Sequence, residues 1–500
     1  MTSRSLLLAI DQGTTSTRSL LFDGSGRLKA TAQREFPQHY PRSGWVEHDL
    51  EDIWRDVLET AREVIEKADA PIAALGIANQ RETVAVWDRA TGAPIHRAIV
   101  WQDRRTADQC ALLRRDGVEA MARAQTGLLL DPYFSATKLA WILDHVADAR
   151  TEAERGKLAF GTIDSFLLWR LTGGQVHATD AANASRTLLF DIHRQCWSDE
   201  LLRLFRIPAA LLPTVRDNSC VFGATAPNWF GVKIPIAGMA GDQQAALIGQ
   251  ACFEPGMAKA TYGTGCFALL NIGARPKPTD PGALTTVAYR IDGVPTYAAE
   301  GAIFSAGAAV KWLRDGLGLI KDPAQTQEMA SGLASNHGVY MVPAFVGLGA
   351  PYWDPNARGL ICGLTLDASA AHIARAALES VAYQTLDLMA ALTGDASVRG
   401  PQALRVDGGM AANDWFCQFL ADILDAPVER PIMLESTALG AAYLAGLSSG
   451  VYADFAAIAK AWAKGRRFDP SMDAPQRARL IDGWRDAIRR ALASDARSVR

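Results

Sequence analysis

The chain opens on an unbroken apolar run, residues 6–10, that stops at Asp11-Gln-Gly-Thr-Thr-Ser16, and a second strand-like run, Arg18 to Phe22, follows. Short apolar runs bounded by turn residues read as buried strands, so the pattern predicts strand, turn and returning strand. Asp23-Gly-Ser-Gly26 turns the chain again. Ile53, Trp54, Val57, Leu58, Ala61, Val64 and Ile65 then recur three and four apart, the spacing of one buried helical face, and Asp49 is placed to cap that helix. Residues 75–78 and 84–87 read as further strands, with the polar Asn79-Gln-Arg-Glu82 delivered at a strand end between them.

The second half repeats the device. A strand-like run at 257–262 meets Gly263-Thr-Gly265, and a second run follows at 266–272. A Pro- and Gly-rich loop spans 274–282, after which strands lead to an Ala- and Gly-rich helix predicted to start near Gly301. Leu404-Arg-Val-Asp-Gly-Gly409 reads as strand then turn, with a helix over 413–423. A last helix buries Leu480, Ile481, Trp484, Ile488 and Leu492 and turns Arg485, Arg489 and Arg490 to water. One device used twice predicts two domains, residues 1–250 and 251–500, with the boundary within 250–255.

Composition narrows the class. With 49% apolar residues in 500, the chain can bury more than one core. Its net charge of −3 provides no strong field to draw in nucleic acid or an anionic membrane. No run approaches the ~20 apolar residues that span a bilayer, and the apolar stretch before Asp11 is too short for a secretory leader. Seven scattered cysteines without a CxxC pair suit free thiols in a reducing compartment. The expectation is a cytoplasmic protein with no nucleic-acid partner and no membrane insertion.

Phosphate binding needs backbone amides that converge on oxygen, which glycine permits. Gly13-Thr14-Thr15-Ser16, Gly263-Thr264-Gly265 and Gly408-Gly409 qualify, each abutting an apolar strand, and Arg18 lies one strand step from the first. Gly263-Thr-Gly-Cys-Phe-Ala268 formally fits a dinucleotide fingerprint, but a strand follows it where that fingerprint must open a helix. The one Gly-Lys pair, Gly156-Lys157, is followed by Leu158, so there is no Walker A loop. Histidines in HxxxH or HExxH spacing are missing as well.

Phosphoryl transfer also asks for a metal-bridging carboxylate and a base for the attacking hydroxyl. Asp11 and Asp242 both stand at predicted strand ends next to a Gln and within two residues of a Gly. Neither has a basic neighbour in sequence, so no ion pair is expected for either. A polyol site would combine charged hydrogen-bonding groups with an aromatic wall. Arg81, Glu82, Gln243, Trp101, Tyr133 and Phe267 supply that mixture.

Six segments, Asp11-Gln-Gly-Thr-Thr-Ser16, Gly44-Trp-Val-Glu-His-Asp49, Asn79-Gln-Arg-Glu-Thr83, Gly241-Asp-Gln-Gln-Ala-Ala246, Tyr262-Gly-Thr-Gly-Cys-Phe267 and Pro351-Tyr-Trp-Asp-Pro355, resemble the FGGY carbohydrate kinases, from about Leu6 to the last helix. The resemblance implies an α/β fold of two ribonuclease-H-like domains of the actin and hexokinase type around an interdomain nucleotide cleft, using ATP and Mg2+. Within the family it implies glycerol as the phosphate acceptor. Arg81, Glu82, Tyr133, Asp242 and Gln243 would contact glycerol, with Trp101 and Phe267 as walls and Asp242 as general base. Thr14, Thr15, Ser16, Arg18, Thr264, Gly307, Gly409 and Asn413 would hold the nucleotide, and Asp11 the magnesium. A homo-oligomer, dimer or tetramer, is implied too.

Lys311 departs from the Gln frequent at its place near the nucleotide. Lys233 replaces an Arg of a regulatory loop, and the tail after Arg466 also differs, so regulation is not carried over. Two alternatives stay open at this point: a sister kinase acting on a pentulose, gluconate or deoxy sugar, and an actin-like or heat-shock-like ATPase without a metabolite acceptor.

Overall fold

In the computed structural model, which describes residues 5–276, 282–354, 356–394 and 402–492, the apolar runs and Gly turns resolve into two mixed sheets of closely similar order. Part of the Pro- and Gly-rich loop and Pro355 lie outside the described residues. In the first sheet β1 (Leu6–Gln12), β2 (Ser16–Asp23) and β3 (Leu28–Glu35) are antiparallel neighbours. β4 (Ile72–Asn79) runs parallel to β1. The edge strand β5 (Ser219–Ala224) is antiparallel to β6 (Pro235–Gly241), which is parallel to β4.

The second sheet repeats this plan. β7 (Ala258–Tyr262) and β8 (Cys266–Gly273) form a hairpin. β9 (Leu284–Ile291) and β10 (Val294–Ile303) form another, whose strand β10 pairs with β8. β11 (Leu404–Asp407) lies parallel to β7, β12 (Val428–Pro431) parallel to β11, and β13 (Lys464–Phe468) antiparallel at the edge.

Parallel pairing sends the functional segments out along one edge of each sheet. Gln12 pairs with Asn79 and Asn79 with Gly241, so the Gly13 turn, the Asn79–Glu82 segment and Asp242 leave the first sheet together. In the second sheet Thr261 pairs with Asp407, which brings the Gly263 and Gly408 turns side by side. Ligands of open α/β sheets bind outside such carboxyl ends.

The helices pack as their apolar faces dictate. α1 (Leu50–Ile65) is capped by Asp49, whose carboxylate accepts from the Glu51 amide at 2.9 Å, and it buries Ile53, Trp54, Val57, Ala61 and Val64. α2 (Asp242–Gly249) follows β6 without a loop. The helix expected near Gly301 begins later, as α3 (Gly307–Asp315), because Gly301 to Ile303 stay in the ladder opposite Cys266 to Ala268. α4 (Ala370–Thr393) spans the second half. α5 (Asp414–Leu424) is capped by the Asn413 side chain, which accepts from the Phe416 amide at 2.9 Å. In the last helix, Ala474–Leu492, Trp484 and Ile488 are buried, Leu480, Ile481 and Leu492 half-buried, and the three arginines exposed.

α6 (Ser436–Ser448) belongs to the second half by sequence yet lies across β1, β4 and β6 of the first sheet and crosses α2. Its Ala441, Leu444 and Ala445 pack with Leu7, Ala9, Ala74, Ala78, Ala237 and Ala240. The approach is close enough that a Cβ on Gly440 would stand 1.8 Å from the Ala245 carbonyl, and one on Gly249 1.9 Å from that of Ser436. Because backbone cannot retreat as a side-chain tip can, Gly440→Ala is expected to cost at least about 2 kcal/mol, in the range of overpacked cores. The check is urea denaturation, in which an unchanged midpoint would mean that the two helices do not meet at this point.

Candidate active site

Arg81 leaves the end of β4 with its side chain almost wholly buried. Its guanidinium is held by Glu300 through two parallel hydrogen bonds of 2.6 and 2.7 Å, by Gln244 Oε1 at 3.3 Å and by the Tyr133 hydroxyl at 3.4 Å. Asp242 Oδ1 lies 3.2 Å from its Nε. Gly241 is required here, since a Cβ would come within 2.6 Å of the Arg81 Cγ. Arg186, also buried, donates to Glu82 Oε1 at 2.6 Å and stands 3.2 Å from Glu300. Two guanidinium groups and two carboxylates thus alternate in a dry lattice. Burial alone would raise the Glu300 carboxyl, but Arg186 and Arg81 outweigh it and hold the group down at about 2.

Glu82 has a φ of 60°, a left-handed conformation that costs a non-glycine residue about 1 kcal/mol or more. The Ser135 hydroxyl donates to its carbonyl at 3.0 Å and Arg186 fixes its carboxylate, so the strained residue is held at both ends.

Asp242 heads α2 with its side chain 29% exposed. Its carboxyl is raised mainly by burial and also by Asp11, while Arg81 and Lys259 draw it down. Trp101 packs edge-on against Tyr133 at 5.5 Å and faces Phe267 of the second half at 6.3 Å, so the aromatic walls come from both halves. Gln243 is nearly buried, and its amide oxygen accepts from Lys259 at 2.5 Å.

The first Gly/Thr turn is closed by the Gly13 amide on the Ser16 carbonyl at 2.9 Å. Thr14 accepts from the Trp101 indole at 2.9 Å, Thr15 is exposed, and Ser16 accepts from Gln33 at 3.2 Å. Arg18 binds Asp11 at 2.5 Å and also Glu435 of the second half. Behind the turn, His48 accepts from Gln80 at 3.2 Å and pairs with Gln38 at 2.6 Å, and burial drops its pKa to about 3. In the second half the Thr264 carbonyl accepts from the Ala306 and Ala308 amides, both at 2.9 Å, and the Gly307 amide donates to Gly263 at 3.0 Å. Gly408 has a φ of 84° and no room for a Cβ, which would stand 2.5 Å from the Tyr262 carbonyl, whereas Gly409 beside it is open. Asn413, besides capping α5, donates to Thr326 at 3.3 Å. Lys311 and Lys233 are exposed.

The structure therefore gathers Arg81, Glu82, Trp101, Tyr133, Asp242, Gln243 and Phe267 in one place. It divides the phosphate-turn residues between the halves, with Thr14, Thr15, Ser16 and Arg18 on one side and Thr264, Gly307, Gly409 and Asn413 on the other. The expectation that Asp11 and Asp242 lack ion pairs is overturned. β1 and β2 place Arg18 directly opposite Asp11, and β4 ends beside β6, so both partners come from a neighbouring strand rather than from adjacent sequence. Sequence reasoning also missed Glu300, Arg186 and Lys259. A lone acid in Tyr297-Ala-Ala-Glu300-Gly-Ala and a lone base in Met257-Ala-Lys259-Ala were the available signals, because a charge inside an apolar strand must find a partner. Nothing comparable marked Arg186.

Two halves of one plan, with Gly/Thr turns and carboxylates converging from the strand ends where they meet, define a phosphotransferase of two ribonuclease-H-like domains. Models of the N-terminal and C-terminal domains of the FGGY family of carbohydrate kinases match residues 6–249 and 258–449. The chain belongs to that family. It is 63% identical over 498 residues to a glycerol kinase of Gluconobacter oxydans, covering 99% of this chain and 97% of that one. A glycerol kinase of Rhodospirillum centenum is 61% identical over 493 residues, covering 98% and 99%. A crystal structure of Plasmodium falciparum glycerol kinase with ADP superposes with a TM-score of 0.92 at 35% identity, covering 98% of this chain and 99% of that one.

Removing one member of the buried lattice leaves its partners charged and dry. Arg186→Met is expected to destabilise the protein by about 3–5 kcal/mol, the usual cost of breaking a buried pair. Thermal melting checks this, and a loss below about 1 kcal/mol, as for an exposed pair, would show that water reaches Glu82 and Glu300.

Proposed function

We propose that the protein transfers the γ-phosphoryl group of ATP to a hydroxyl of glycerol, giving sn-glycerol 3-phosphate. The observation that carries this reading is the Asp242 carboxylate, held by an Arg81 that also meets Tyr133, whose ring packs against Trp101 and, through it, Phe267 of the second half. The full-length relatives named glycerol kinase support glycerol over larger acceptors.

Arg81, Glu82, Tyr133 and Gln243 hold the glycerol hydroxyls, and Asp242 accepts the proton of the hydroxyl that attacks the γ-phosphorus as ADP departs. Thr14, Thr15, Ser16 and Arg18 approach the phosphates from the first half. Thr264, Gly307, Gly409 and Asn413 hold the nucleotide from the second. The walls exclude water, which competes as acceptor.

Asp11 gives one carboxylate oxygen to Arg18, and its other has no partner among the described residues. No group of three or more potential metal ligands gathers among the described residues. Mg2+ in such sites takes one or two carboxylates and fills its shell with water and phosphate oxygens, so the residues present fit it. With ATP bound it would neutralise charge on the phosphates, and Asp11 would hold it through water. The reading includes a homo-oligomer, dimer or tetramer, in the cytoplasm, on the resemblance to the family.

Identification of the product formed from glycerol and Mg-ATP tests the reaction; ADP release that does not depend on glycerol would overturn it. Asp242→Asn keeps the shape but not the base, so kcat should fall on the order of 10²–10⁴-fold with the KM for ATP little changed. A base works ionised, so kcat/KM should decline as pH falls through the Asp242 pKa. Burial places that limb above the ordinary carboxylate range, and the Asn variant should lack it. Turnover within fivefold of the parent would remove Asp242 from the role.

A further inference from the structure

The orientation of the Gln243 amide follows from its partner, a buried lysine of the second half. Lys259 lies in β7 and is fully buried. Its Nζ donates to Gln243 Oε1 at 2.5 Å, to Thr261 Oγ1 at 3.0 Å and to the Phe267 carbonyl at 3.4 Å. An ammonium has three protons and no acceptor, so these three oxygens match it and the Gln243 atom that meets it is the oxygen. The amide nitrogen of Gln243 is left over. It has no partner among the described residues, yet it is not among the buried polar atoms cut off from solvent. Gln243 belongs to the first turn of α2, next to Asp242, whereas Lys259, Thr261 and Phe267 all belong to the β7–β8 hairpin of the second half.

We propose that Lys259 is a positioning residue of the acceptor site: by holding Gln243 Oε1 it turns Nε2 toward the acceptor, so that Gln243 reads a glycerol oxygen as a hydrogen-bond donor. A methionine would fill much of the same space without the cost of burying a charge. Burial lowers the Lys259 pKa, and the nearby Asp407 and Asp242 carboxylates act against that. The donor presented by the first half is thus set from the second half, through a hairpin that also carries the Gly263 turn.

The inference rests on the glycerol reading above, and steady-state kinetics separate the two. Parent turnover of glycerol tests the reading, and ratios among variants test Lys259. Lys259→Met should raise the KM for glycerol about tenfold, the equivalent of one lost hydrogen bond, and leave the KM for ATP within about twofold. Lys259→Arg should recover most of that loss. In a Gln243→Ala background, Lys259→Met should add less than about twofold, because residues acting through one contact are not additive. An equal rise in both backgrounds, or none in the parent, would overturn the proposal. Melting curves accompany the kinetics. Should Lys259→Met fail to fold, Gln243→Glu decides: it keeps an acceptor for Lys259 but removes the donor, so it should raise the KM for glycerol as Gln243→Ala does. A parent-like KM in that variant would sink the proposal.

Discussion

A guanidinium out of water must be met on every side by acceptors, and Arg81 is met by groups from both halves of the chain. Glu300 comes from β10 in the second sheet, while Asp242 and Gln244 come from α2 and Tyr133 from the first half. Taking any of them away leaves a buried charge without its partner, which is far costlier than losing the same contact at a surface. The halves are therefore pinned together around Arg81. Beside the first Gly/Thr turn the halves are also joined by the partly exposed pair of Arg18 with Glu435.

Arg81 touches Asp242 directly, so the two candidate site residues share one constraint. The Arg81–Glu300 fork fixes the guanidinium, its Nε restrains the carboxylate, and Gly241 leaves room for the stem to pass. The strained backbone at Glu82 belongs to the same unit, held from behind by Ser135 and Arg186. Trp101 carries the constraint onward, since its ring packs edge-on against Tyr133 and its indole nitrogen donates to Thr14 of the first Gly/Thr turn.

Much of this was legible in residue order. Apolar runs ending on Gly turns located β1, β2, β7 and β8 to within a residue or two, and the three- and four-residue spacing with Asp49 as cap located α1. Arg81, Glu82, Asp242 and Gln243 could be singled out as candidates because polar groups at strand ends stand out against apolar strands. What stayed hidden depends on distance in sequence. The Arg81–Glu300 fork joins residues 219 apart, and the Asp11–Arg18 pair follows from hairpin register rather than adjacency. The start of α3 was misplaced because Gly301 and Ala302 are small enough for a helix or a tightly packed strand, and only the ladder with β8 decides between them. Arg186 carries no pattern at all; its burial makes sense only beside Glu82 and Glu300.

The crossing of α6 onto the first sheet has a consequence for how the chain is made. The strands of that sheet are complete once residue 241 has been synthesised, but the face formed by Leu7, Ala9, Ala74, Ala78, Ala237 and Ala240 acquires its cover only when residues 436–448 emerge. A nascent chain that folds from its N-terminus must therefore carry an open apolar face through the synthesis of nearly 200 further residues. The small side chains on that face, needed for the close helix approach, also make it a weak template for misassociation while it waits, since alanine offers little apolar area to a stray partner.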